Sequence, residues 1–118
     1  MDGELVIAEP YTGFRDGACH IENQIAGKVV VIARGDASFE SKSICAQDAG
    51  AVGVIITNND ETNPGQVFEM YSGATLNIPV VMVSYNEGVR IRALGAGTPV
   101  AFVPGSCAER RVSATAMV

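Results

Sequence analysis

The sequence predicts an α/β fold, with strands alternating with two or more short helices in one domain spanning residues 1–118. Three observations predict it. Runs such as Lys28-Val29-Val30-Val31-Ile32-Ala33 and Val52-Gly53-Val54-Ile55-Ile56-Thr57 show no polar alternation, as strands buried on both faces do. The stretches between runs open with Ser or Asp and close with Gly, the punctuation of short helices. Their alternation implies at least partly parallel pairing through right-handed crossovers. A chain of 118 residues suits one core, and an apolar content of 47 % is that of a folded protein.

Leu5-Val6-Ile7-Ala8, ended by Pro10, reads as the first strand. Residues 11–25 are polar and glycine-rich and read as a long connection. The run 28–33 is the second strand, bounded by Gly27 and Gly35. Asp36 or Ser38 caps the helix that follows. Phe39, Ala46 and Ala49 fall near one face of it, and Gly50 ends it. Residues 52–57 form the third strand. Residues 58–76 show no period and read as a long surface loop, a kind of segment that is usually functional. Pro79-Val80-Val81-Met82-Val83 is a further strand, with proline tolerated at its start. Ser84 and Glu87 have the spacing of a capping box, Ile91 and Leu94 share a helix face, and Gly95 and Gly97 end that helix. Pro99-Val100-Ala101-Phe102-Val103 is another strand, and the weak alternation of Val112, Ala114, Ala116 and Val118 marks a last one.

Composition excludes several function classes. A net charge of −5 argues against binding the phosphate backbone of nucleic acid, where Lys and Arg replace counterions. No apolar run approaches the ~18–20 residues of a membrane-crossing helix, and no basic amphipathic face is present, so no direct membrane insertion is expected. The acidic start Met1-Asp2-Gly3-Glu4 is unlike a secretory leader, which predicts either an intracellular chain or a piece of a longer one.

The chain has 3 cysteines, Cys19, Cys45 and Cys107, and 1 histidine, His20. An odd number leaves at least one cysteine unpaired within the chain. The expectation is a buried thiol at Cys45, with Cys19 and Cys107 in loops. No Cys-x-x-Cys occurs, so neither a zinc site nor any other cofactor is expected. Cys19-His20 suggests a nucleophile and base, but neighbours in an extended chain point opposite ways. There is no Gly-x-Ser-x-Gly elbow and no Gly-x-Gly-x-x-Gly, so the expectation is a chain that is not an enzyme.

The middle of the chain carries a resemblance. Gly27-Lys28-Val29-Val30-Val31-Ile32-Ala33-Arg34-Gly35 is followed by Phe39, Lys42 and Ala46-Gln47-Asp48-Ala49-Gly50-Ala51. Then come Gly53-Val54-Ile55-Ile56 and Ile78-Pro79-Val80-Val81-Met82-Val83-Ser84. In order and spacing these resemble the protease-associated (PA) domain, from about Leu5 to Val103. The resemblance implies an open β-barrel or sandwich flanked by short helices. It also implies a non-catalytic module of subtilisin-like proteases, zinc aminopeptidases, sorting receptors or membrane-bound ubiquitin ligases, and with it a secretory or endosomal–vacuolar lumen. The family often has Arg-Gly-x-Cys-x-Phe after the second strand, its Cys bonded to an earlier one. Here Ala37 stands in that place, so the usual partner of Cys19 is missing and the lumenal expectation weakens.

Two segments are the candidate peptide- or protein-binding surface. The first is the 34–39 turn, where Arg34, Gly35, Asp36, Ser38 and Phe39 lead a strand into a helix N-terminus with unpaired N–H groups. In sorting receptors that the chain resembles, the corresponding loop contacts cargo peptide. Phe39 itself is expected in the core. The second is the 58–76 loop. Its Asn58, Asn59, Asp60, Glu61 and Asn63 are oxygen-rich but lack EF-hand spacing, so a solvated turn is expected rather than a metal site. Its Phe68, Met70 and Tyr71 suit a partner surface if exposed. The alternatives are a lid or assembly piece of a larger peptidase or receptor, and a small thiol enzyme using Cys19 and His20.

Overall fold

The structure is a computed structural model describing residues 2–9, 11–21, 25–65, 76–101 and 114–117, with 2, 101 and 114–117 as backbone only. Among these residues, eight strands and two helices follow in the order β1 (Asp2–Ile7), β2 (Phe14–Arg15), β3 (Ala18–Cys19), β4 (Val29–Ala33), α1 (Phe39–Asp48), β5 (Gly53–Thr57), β6 (Val80–Val83), α2 (Tyr85–Leu94), β7 (Pro99–Ala101) and β8 (Ala114–Met117). Six strands form one sheet in the order β7-β1-β4-β5-β6-β8. The inner four, β1, β4, β5 and β6, run parallel, and β7 and β8 close the edges antiparallel. The sheet curls into a half-barrel.

The unbroken apolar runs arise because both sheet faces are covered. Every residue of β4 and β5 is buried. The paired rows Val30–Val54–Val80 and Ile32–Ile56–Met82 face one side, where Ala46, Phe39 and Ala49 pack on them. Leu5, Val29, Val31, Ile55 and Val83 face the other, against Ile91 of α2. The helices therefore sit on opposite faces, with α1 on the first and α2 on the second.

Both helix starts follow the sequence. Ser38 rather than Asp36 caps α1, its hydroxyl accepting from the Ser41 N–H at 3.0 Å. Asp36 instead accepts from the Thr12 hydroxyl at 2.7 Å. Gly50, at φ 96°, takes the left-handed turn after α1. Ser84 caps α2 by accepting from the Glu87 N–H at 3.2 Å. The Glu87 carboxylate does not complete the box; it accepts from Arg90 Nη1 at 2.8 Å.

Three expectations need correction. Residues 11–25 are not a featureless connection, because β2 and β3 form a hairpin within them, Phe14 opposite Cys19 and Arg15 opposite Ala18. Its turn, Asp16-Gly17, has positive φ at both residues (53° and 79°), matching the twist of a tight hairpin. Cys45 is not a free thiol. The hairpin lays Cys19 across α1, and the two cysteines form a disulfide with Cα atoms 6.2 Å apart. Ala37 does remove the partner usual in the family, but a cysteine two turns further along the helix takes its place. Finally, Leu94 does not share the buried face with Ile91; it is 58 % exposed. Phe102, Val103 and Cys107 lie outside the described residues.

Candidate functional site

The parallel strands β4, β5 and β6 end at the same edge of the sheet. In open α/β sheets this carboxyl edge is where ligands bind. A cleft of about 380 Å³ opens there, lined by residues that include Tyr11, Thr12, Arg34, Asn58, Asn59, Glu61, Tyr85, Val89 and Arg92.

Hydrogen bonds join the two expected segments at its base. The Arg34 N–H donates to the Thr57 carbonyl at 2.9 Å, and the Asn58 N–H to the Val83 carbonyl at 3.0 Å. Arg34 Nη1 donates to Asn58 Oδ1 at 3.0 Å, and the same oxygen accepts from the Asn59 N–H at 2.8 Å. Asn59 Nδ2 reaches back to the Arg34 carbonyl at 3.3 Å. Asn58 is 2 % exposed, so its side chain acts as an internal brace, whereas Asn59 is exposed and Arg34 half-buried.

Gly35 (φ 119°) and Asp36 (φ 68°) turn the chain from β4 toward α1. Aspartate tolerates the left-handed region, and its bond to Thr12 holds it there. Ser38 is exposed, with its hydroxyl spent on the helix cap. Phe39 packs against the core, as its apolar character predicts.

Asp60 is turned into its own loop. Oδ1 accepts from the Thr62 N–H at 3.0 Å and the Thr62 hydroxyl at 2.6 Å, and Oδ2 from Asn63 Nδ2 at 3.1 Å. These bonds hold its carboxyl below the usual range. Among the described residues, no group of three or more His, Cys, Asp or Glu side chains is arranged to hold a metal ion. Phe68, Met70 and Tyr71 lie outside the described residues.

The far wall of the cleft was not anticipated from the sequence. It comes from α2, whose Tyr85, Gly88, Val89 and Arg92 line the cleft at i, i+3, i+4 and i+7. Arg92 stacks its guanidinium 3.9 Å from the centre of the Tyr11 ring. The Tyr11 hydroxyl bonds Thr57 Oγ1 at 2.9 Å, and burial raises its pKa despite that bond and the nearby Arg92 charge. The Tyr85 hydroxyl donates to Glu61 Oε2 at 2.9 Å, and that bond to a carboxylate raises its pKa as well. The helical spacing of these four residues was the available signal.

On the opposite side of the turn, Lys42 is fully buried. Its ammonium donates to the Thr12 carbonyl and lies 5.4 Å from the centre of the Phe14 ring. Burial pushes it down to about 8, opposed by the charge of Asp36.

Fold and sequence agree with what is found in known proteins. The family described as PA domain matches residues 1–91, and the chain belongs to it. Signal peptide peptidase-like 2 of Arabidopsis thaliana is 31 % identical over 91 residues, covering 76 % of this chain and 16 % of its own length. An aminopeptidase of Pseudomonas aeruginosa is 40 % identical over 70 residues, covering 54 % of this chain and 12 % of its own. A zinc aminopeptidase of Bacillus subtilis has the same fold, with a TM-score of 0.65 at 24 % identity over 98 % of this chain and 26 % of its own. The chain thus spans a small part of the length of these relatives. The PA domain occurs in peptidases and as a module of larger proteins.

Proposed function

We propose that this chain is a non-catalytic binding module that takes a peptide or an extended protein segment in the cleft at the carboxyl edge of its sheet. One observation carries the reading: the 34–36 turn and the 58–61 segment, distant in sequence, are braced side by side through Arg34 and Asn58. Loops set on a rigid scaffold in this way are where binding usually resides. The Cys19–Cys45 bond weighs against the thiol-enzyme alternative, which needs Cys19 as a free nucleophile. That bond also supports an oxidising compartment for the chain. Among the described residues no helix is long and apolar enough to cross a membrane.

The test is a titration of the nitrogen-labelled chain with pools of randomised short peptides, followed by amide shifts. Saturable shifts at Arg34, Gly35, Asp36 and Asn59 are expected. Arg34→Ala should weaken them about tenfold, the equivalent of about 1.4 kcal/mol. Shifts confined to another face would reject the cleft.

A second reading is favoured by the relatives themselves. Two of them are named as peptidases of which this chain matches only 16 % and 12 %. A module of that size within a peptidase serves as a lid or an assembly surface. A peptide titration with no response anywhere would favour this reading over the first.

A further inference from the structure

We propose that Arg92, stacked on Tyr11 at the mouth of the cleft, recognises a carboxylate of the bound peptide. The inference rests on the peptide-binding reading above and names the chemistry its ligand must carry.

Four observations support it. Arg92 is exposed, yet its guanidinium is fixed by the Tyr11 ring at 3.9 Å. A guanidinium that packs its flat face on a ring keeps its edge N–H groups, the ones that grip a carboxylate in a fork, available to a ligand. Among the described residues the ion pairs are Lys28–Glu4 and Arg90–Glu87, and Arg92 is in neither. Glu61, the acid that lines the cleft with Arg92, accepts from the Tyr85 hydroxyl at 2.9 Å.

The stack is itself anchored. The Tyr11 hydroxyl is tied to Thr57 Oγ1, and the Tyr11 carbonyl accepts from the Ala33 N–H at 2.8 Å. Arg92 is thereby held on β4 and β5, not only on its own helix. Beside it Val89, 48 % exposed, offers an apolar surface for the side chain next to the carboxylate. Of the other acids near this edge, Asp36 accepts from the Thr12 hydroxyl and Asp60 from Thr62 and Asn63.

The carboxylate can come from an acidic side chain or from a peptide C-terminus. Four randomised peptide pools separate these sources. The first carries an internal Glu with an amidated end, the second Gln in its place with an amidated end. The third has a free C-terminal carboxylate and no internal acid, and the fourth has neither the acid nor the free end but a Ser at the fixed position.

Amide shifts and the Arg92 Nε–H resonance of the labelled 118-residue chain are read for each pool, with wild type and Arg92→Gln. At least one carboxylate pool should bind about tenfold more tightly than the Gln and Ser pools, and Arg92→Gln should remove that preference. Tyr11→Leu, which deletes the stack but not the charge, should weaken it about threefold. Whichever carboxylate pool wins identifies the source.

Binding at Arg34 by all four pools alike, or a preference that survives Arg92→Gln, overturns the carboxylate proposal and leaves the peptide-binding reading standing. No binding by any pool overturns both. Arg92 is an exposed helical position, so Arg92→Gln is expected to fold, and an unchanged amide spectrum away from the cleft verifies it.

Discussion

The two helices are each ten residues long and cover opposite faces of one sheet, but they are held in different ways. Helix α1 is fastened from outside. The β2–β3 hairpin lies across it, linked by the Cys19–Cys45 disulfide and by the buried Lys42 ammonium on the Thr12 carbonyl. Among the described residues, helix α2 has no disulfide strap of this kind. It is seated by the burial of Ile91 and by close contact at Gly88, where an added Cβ would stand 2.8 Å from Thr57 Cβ. Its outer positions Val89 and Leu94 remain exposed. The difference suits the two tasks: α1 fixes the turn that starts at Arg34, and α2 offers a wall whose side chains face solvent.

Breaking the strap should give the largest effect. In the chain-entropy account, a link closing a loop of 26 residues contributes about 3.5 kcal/mol. The double variant Cys19→Ala, Cys45→Ala should lose about that much in urea unfolding, and hydrogen exchange should quicken first in β2, β3 and α1. Equal quickening in α2 would mean that the helices are not separately held. Acid-quenched alkylation of the native protein should find Cys19 and Cys45 both blocked; two free thiols would reject the oxidising compartment.

The other fastening of α1 is visible through pH. Lys42 titrates near 8 in the folded chain and near 10.5 when unfolded. Between those values the unfolded state binds more protons than the native one, so stability rises with pH across that window. Below about 8 both states are protonated and this contribution is flat. Wild type should therefore gain on Lys42→Met by on the order of 3 kcal/mol from pH 8 to 10.5 in paired urea titrations. A constant difference would show that the ammonium is already solvated in the native state.

Much of the α1 side was legible in the sequence. The runs at 29–33 and 53–56 announced doubly covered strands because no charged or polar side chain interrupts them. Ser38 and Ser84 marked both helix starts because their hydroxyls replace missing backbone partners. The hairpin was missed although Asp16-Gly17 is a strong turn signal, since the strands it joins have only two residues each and show no alternation. The disulfide was missed because pairing depends on that hairpin, which no spacing of cysteines encodes. Of the candidate site, the adjacency of Arg34, Asn58 and Asn59 follows from neighbouring parallel strands ending together. The contribution of α2 was hidden because Tyr85, Val89 and Arg92 belong to the polar side of a helix, the side that core-seeking patterns discard.

The seat of α2 gives the smallest and most local effect. Gly88→Ala places a methyl 2.8 Å from Thr57 Cβ and 2.9 Å from Thr57 Cγ2, closer than carbon atoms stand, so helix or strand must shift. Overpacking of this kind costs about 1–3 kcal/mol, offset by about 1 kcal/mol from the better helix propensity of alanine. The net loss should be about 1 kcal/mol by urea unfolding. Thr57 also holds the Tyr11 hydroxyl, on whose ring Arg92 stacks, so the disturbance should reach the cleft while α1 and its disulfide stay put. Ring-current shifts of Arg92 report the stack directly. If they move while the amides of α1 do not, the two faces respond independently. If α1 moves as much as α2, the sheet transmits strain between its faces and the helices are coupled despite their different fastenings.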